Sequence, residues 1–154
     1  MPKIEISKVK TFDGTDYPAP YDAVANGRLR QAIGDAGGLD QFGVNLTRLL
    51  PGAASAHRHW HAREDEFIFI LDGEATLIED DGETILRKGE AAAFKAGTEI
   101  GHHLVNRSND TVTYLEVGTR QTEDVATYTD PDVDMKFIKT DGKWVVHRKN
   151  GRPF

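Results

Sequence analysis

From residue 43 to residue 118 the chain alternates between short apolar or apolar–polar runs and turn signals. The runs are 44–50, 66–71, 74–79, 83–87, 91–94, 102–106 and 111–117. Between them stand Pro51-Gly52, Asp72-Gly73, Asp80-Asp81-Gly82, Lys88-Gly89, Ala96-Gly97 and Ser108-Asn109-Asp110. A period of two puts alternate side chains on opposite faces of a strand, and no sustained helical period crosses this region. Asp-Gly between two such runs is a hairpin signal. Many short strands at regular spacing predict an antiparallel sandwich or barrel.

The flanks have a different texture. Residues 1–42 are mixed, with turns expected at Asp13-Gly14 and around Pro18 and Pro20, and residues 28–36 predict a short helix stopped by Gly37-Gly38. Residues 119–154 form a tail. It holds an acidic turn around Pro131 and two segments, 136–139 and 143–148, that flank Thr140-Asp141-Gly142 as a further hairpin. A lone hairpin is marginal in water, so the tail should pack on the barrel. The expected organisation is one domain over 1–154: a core barrel at 43–118, an N-terminal extension at 1–42 and a C-terminal β tail at 119–154.

Composition narrows the chemistry. With 154 residues the chain can bury a core without staples. It has no cysteine, which excludes disulfides, thiolate metal sites and cysteine nucleophiles. Any transition metal must be held by imidazole and carboxylate. The net charge is -6, with both signs interspersed, so the basic patch of a nucleic-acid binder is missing. No apolar run approaches the roughly 18 residues of a membrane span, and the N-terminal stretch lacks the apolar region of a secretory signal. A soluble cytoplasmic protein, with no nucleic-acid or membrane partner, is expected.

Six histidines are present, and five fall in two windows, 57–61 and 102–103. His57, His59 and His61 are spaced by two. An extended His59-Trp60-His61 aims two imidazoles at one point, with Trp60 facing away. Glu66 opens the next run and can supply a carboxylate, and the second window offers another imidazole. Three nitrogens and one oxygen suit iron, manganese, nickel, zinc or copper without choosing among them. His57 shares the parity of the pair and is a candidate acid/base or outer-shell group. Glu64 and Asp65 read as solvated turn residues, His103 as a packing or surface residue, and His147 as a surface residue.

These residues carry a resemblance to the cupin family. His59-Trp60-His61, four residues, Glu66, six residues and Gly73 match its first motif, with Gly52 one position farther upstream than usual. Gly89, Lys95-Ala96-Gly97, His102 and Asn106 are similar to its second. There lysine replaces proline, the loop before the histidine is two residues longer, and the His-x-x-x-Asn spacing selects His102 over His103. The stretches 42–46 and 101–107 resemble small single-domain bacterial cupins. The resemblance implies an all-β double-stranded β-helix, or jelly roll, with one divalent metal inside the barrel held by His59, His61, Glu66 and His102, and dimers are common in the family.

Strand parity gives further expectations. If Glu66 points inward, Ile68 and Ile70 line the pocket, while Phe67, Phe69 and Leu71 face out. That outer row invites association, an independent reason to expect a homodimer. The functional expectation is a mononuclear metalloenzyme, an oxygenase or isomerase, acting on a small organic molecule, with Glu66 and His57 as candidate proton-transfer groups. The alternative is a non-catalytic cupin that binds or senses a small ligand.

Overall fold

The computed structural model describes residues 2–154; Met1, the first residue of the N-terminal stretch read above, lies outside them. Thirteen strands are formed: β1 (Phe12–Asp13), β2 (Arg28–Gln31), β3 (Phe42–Leu49), β4 (His59–His61), β5 (Glu66–Asp72), β6 (Glu74–Glu79), β7 (Gly82–Arg87), β8 (Ala91–Phe94), β9 (His102–Val105), β10 (Val112–Thr119), β11 (Asp124–Tyr128), β12 (Lys136–Thr140) and β13 (Lys143–His147). One α-helical turn, α1 (Ile33–Ala36), precedes β3, and 3-10 turns lie at Ile6–Lys8 and Tyr21–Ala25. The strands build two antiparallel sheets, β1-β2-β3-β10-β5-β8 and β13-β12-β11-β4-β9-β6-β7. The fold is the expected all-β jelly roll. No helix among the described residues is long and apolar enough to cross a membrane.

The core lies between the sheets. Leu49, Ile70, Val112 and Tyr114 from the first sheet meet Ala75, Leu77, Leu86 and Leu104 from the second, all buried. Parity along β5 follows the sequence reading: Ile68 and Ile70 are buried, Phe67 is 42% exposed, and Phe69 and Leu71 are half-buried on the outer face. The tail has a second core, in which Ala126, Tyr128, Val133 and Met135 pack against Tyr17, Tyr21 and Phe137. The N-terminal extension and the tail thus share apolar burial beside the barrel.

Two local expectations are corrected. Residues 28–36 are not one helix. Arg28–Gln31 is a strand paired with β3, and only Ile33–Ala36 turns helically. The edge of β3 offers this segment a full ladder of partners, which outweighs weak helix propensity. Asp72-Gly73 does not close a hairpin either. The strands on its two sides belong to different sheets, so the dipeptide is the corner where the chain crosses. Gly73 has φ +81°, and a Cβ there would stand 2.9 Å from the Thr111 carbonyl. By contrast, Asp80-Asp81 closes the β6–β7 hairpin, and Asp141-Gly142, at φ 50° and 74°, closes β12–β13. Two consecutive positive φ angles are the signature of a type I′ turn.

Candidate metal centre

Four side chains from three strands and both sheets meet inside the barrel. Strand β4 carries His59 and His61 on one face, with β9 on one side and β11 on the other. Register pairs His59 with His102 on β9 and with Tyr128 on β11. From the opposite sheet, Glu66 enters at the first position of β5. Donor atoms of His59, His61 and Glu66 all lie within 4.8 Å of one another. His102 Nε2 is 2.9 Å from Glu66 Oε2, and His61 Nε2 is 3.8 Å from Glu66 Oε1. Neighbouring ligands bound at about 2.1 Å from one small ion stand about 3 Å apart; the Glu66 contacts at 2.9 and 3.8 Å approach that spacing, while His102 lies outside the group of donors that are all within 4.8 Å of one another. Three imidazoles and a carboxylate could hold iron, manganese, nickel, zinc or copper.

The imidazoles are oriented from behind. His59 Nδ1 is 2.8 Å from the His57 carbonyl, which leaves Nε2 for the centre. His61 Nδ1 is 2.5 Å from Asp124 Oδ2, and the other oxygen of that buried carboxylate accepts the Arg63 amide at 2.8 Å. A carboxylate behind a ligating imidazole fixes its tautomer and raises its basicity. His102 stacks on Phe94, ring to ring at 3.6 Å, and His59 stacks on Tyr128 at 5.4 Å.

Protonation favours metal capture. Burial pushes the His59 imidazole down to about 4, so it is neutral at physiological pH with a free lone pair. Burial alone would raise Glu66. The hydrogen bond from His102 and the surrounding imidazoles outweigh it and hold the carboxyl down at about 2. His61 moves the other way: burial opposes its charge, but the Asp124 bond and nearby carboxylates overcome that and raise it.

The cluster sits in the wall of a cavity of about 630 Å³. Ile68, Leu77 and Leu104 form its apolar side, while Ile70 lies deeper in the core and does not line it. The charged lining is balanced, with Arg28, Arg30, Arg120 and Lys139 against Asp16, Glu64, Glu66 and Glu116. Two of the cations are spoken for, since Lys139 Nζ is 2.5 Å from Glu64 and Arg120 pairs with Asp35. Glu116 faces inward opposite Ile68, with Thr47 Oγ1 3.4 Å away. Burial, followed by the charge of Glu66, raises its pKa.

Several sequence-predicted residues stand elsewhere. His57 Nε2 is 2.9 Å from the Tyr21 carbonyl, its ring packs 5.3 Å from that of Tyr17, and it is not part of the cavity lining. Glu64 is not a solvated turn residue: it is buried, paired with Lys139, and accepts the Gln121 amide at 2.8 Å. Asp65 fits its turn assignment, with Oδ1 accepting the Ala96 amide. His103 Nδ1 is 2.7 Å from the Ala56 carbonyl, and His147 is half-buried with Nδ1 sequestered. Sequence reasoning missed Asp124, Tyr128, Arg28, Arg30 and Glu116. The signals were present as spacing by two in Asp124-x-Ala126-x-Tyr128 and Arg28-x-Arg30, but both lay in segments not read as strands.

A jelly roll with three histidines and a glutamate converging inside carries donors that could hold a metal. The chain belongs to the cupin superfamily. The family model for the cupin domain matches residues 45–118. A solved structure of a cupin-superfamily sugar phosphate isomerase from Silicibacter pomeroyi is 41% identical, with TM-score 0.94, covering 99% of this chain and 96% of that one. A protein from Acidithiobacillus ferrooxidans, provisionally named a sugar phosphate isomerase, is 25% identical with TM-score 0.81, covering 97% and 92% of the two chains. The polyketide cyclase RemF from Streptomyces resistomycificus shares the fold at 20% identity and TM-score 0.64, covering 79% and 80%. No curated protein matches the chain.

Proposed function

We propose that the protein is a metal-dependent isomerase acting on a small phosphorylated sugar or a similar hydroxy-carbonyl compound. The supporting observation is a cluster of metal-ligand type opening onto a cavity with a polar, charged wall, in a chain that matches a sugar phosphate isomerase over nearly its whole length. His59, His61, Glu66 and His102 would hold one divalent metal, which polarises a carbonyl and its neighbouring hydroxyl when bound. Aldose–ketose isomerisation removes a proton from the carbon beside the carbonyl and returns one to the former carbonyl carbon. That step needs a group able to take and give back a proton near neutral pH.

Glu116 suits this role better than the two residues first considered. Its carboxyl is raised by burial and borders the same cavity as the cluster. Glu66 is held at about 2, which makes it a ligand and a weak base. His57 is engaged with the Tyr21 carbonyl. Glu116 therefore moves the proton, while His59, His61, Glu66 and His102 would hold the metal against the oxygen atoms of the substrate. The working form is a homodimer, paired through the outer face that carries Phe67.

The test is deuterium exchange. Protein loaded separately with iron, manganese, nickel, zinc or copper is incubated with aldose and ketose phosphates in D2O and followed by NMR. Deuterium entering beside the carbonyl, together with interconversion of the two sugars, is the expected result. Binding without exchange under any metal would leave a ligand-binding cupin, and oxygen uptake in its place would make the protein an oxygenase.

A further inference from the structure

The geometry points to Arg28 and Arg30 as an anion subsite that takes the phosphoryl group of the ligand; this rests on reading the protein as one that acts on a phosphorylated sugar. Register carries the first part of the argument. On β2, Arg28 pairs with Leu49 and Arg30 with Thr47, the inward row of β3. The next strand continues those rows with Val112 and Tyr114, both buried inside the barrel. Both arginines therefore stand on the inner face, and both line the cavity.

The two guanidinium groups are complementary. Arg28 is clamped, with Nη1 donating to the Ser55 carbonyl at 2.6 Å and Nη2 to the Gly14 carbonyl at 2.9 Å. That fixes its plane. Its Nε is buried with no hydrogen-bond partner, a state that buried polar atoms rarely keep. Arg30 makes no side-chain hydrogen bond or ion pair among the described residues; its guanidinium stands over the Phe12 ring, 5.7 Å from the centroid. Neither arginine is within ion-pair distance of Glu116, although both favour its charged form through space. One oriented orphan donor beside one free guanidinium matches an oxyanion with several acceptor oxygens.

Charge balance supports the same ligand. Four cations and four carboxylates line the cavity, and Asp35 outside it pairs with Arg120, so a bound divalent metal leaves the site net positive. A phosphomonoester near neutral pH carries about two negative charges. Along the first sheet the two arginines are set apart from Glu66: β2 lies three strand spacings from β5, about 14 Å. Inorganic phosphate is too small to occupy both ends. A phosphate ester with a carbon chain between its phosphoryl and carbonyl ends can.

Calorimetry on the metal-loaded full chain tests this, with fructose 6-phosphate, fructose, glycerol 3-phosphate and inorganic phosphate as probes. The variants are Arg30→Ala and Arg30→Lys, because Arg28 also ties two loop carbonyls. Loss of one charge-assisted contact should weaken phosphate-ester binding roughly 10- to 100-fold in Arg30→Ala and less in Arg30→Lys. Fructose binding and metal content should stay unchanged. Equal weakening of fructose and its phosphate, or no change in either, would overturn the subsite. So would absence of binding by all three phosphorylated or phosphate probes. Arg30-dependent binding without turnover would leave the subsite standing while the isomerase reading fails. Turnover with an unchanged KM in Arg30→Ala would do the reverse.

Discussion

At the scale of single residues, the site depends on what stands behind each imidazole. Asp124 is buried and divides its two oxygens between His61 and the Arg63 amide. Asp124→Asn keeps the shape but removes the acceptor charge, and groups of this kind typically contribute 10- to 100-fold in metal affinity. Competition against a chelator should show a loss of about that size. His59→Ala/His61→Ala should lose metal altogether, read by mass spectrometry on untagged protein. The metal-free protein should also show an acid limb that belongs to Glu66. A carboxyl lowered from 4.5 to about 2 stabilises the fold above 4.5, and that contribution disappears as pH falls toward 2. Melting curves of wild type and Glu66→Gln should therefore differ at neutral pH and converge through that window. Parallel curves across it would show that the carboxyl gains nothing from its imidazole neighbours.

Elements were legible in the sequence where burial on one face enforced alternation. Strands β5 to β10 lie close to the runs read from 66–117, and the His-x-His parity placed both imidazoles on one face. The segments that escaped were those whose partners are remote. Arg28–Gln31 is a strand because β3 is available, and Asp124–Tyr128 is a strand because β4 lacks a second neighbour without it. Asp72-Gly73 has the composition of a hairpin, and only the corner geometry reveals a crossing. That corner should be sensitive: Gly73→Ala combines positive φ with contact against the Thr111 carbonyl and should cost about 2 kcal/mol, measured as a lower denaturation midpoint. The tail is pinned by the buried pair of Lys139 and Glu64. Removing one partner strands the other charge, so Lys139→Ala should destabilise the fold by about 3 kcal/mol or more, read by urea titration.

For the whole molecule, the candidate site is larger than the family domain that contains its ligands. The cupin match ends at residue 118, yet Asp124 and Tyr128 back two of the imidazoles, and Arg28 and Arg30 come from before its start. Sequence motifs identified the four inner side chains because their spacing is fixed by one short strand and its neighbours. They gave no view of the outer ring, which is assembled from distant parts of the chain. The outer face of the first sheet presents Phe67 beside half-buried Phe69 and Leu71. Light scattering should report a dimer for the wild type, and Phe67→Lys should shift it toward monomer. A monomeric wild type would remove that role from the face.

The strand that carries His59 and His61 also sets a schedule. It is joined to β9 at a single residue pair and to β11 at three, so most of its anchoring comes from the last quarter of the chain. A ribosome delivers β11 only after β1 to β10. While the tail is still inside the exit tunnel, the two imidazoles have neither their flanking strand nor the carboxylate that orients one of them. The two imidazoles therefore reach their final surroundings only after residues 124–128 have emerged, and a nascent chain that stops short of them lacks the complete candidate site.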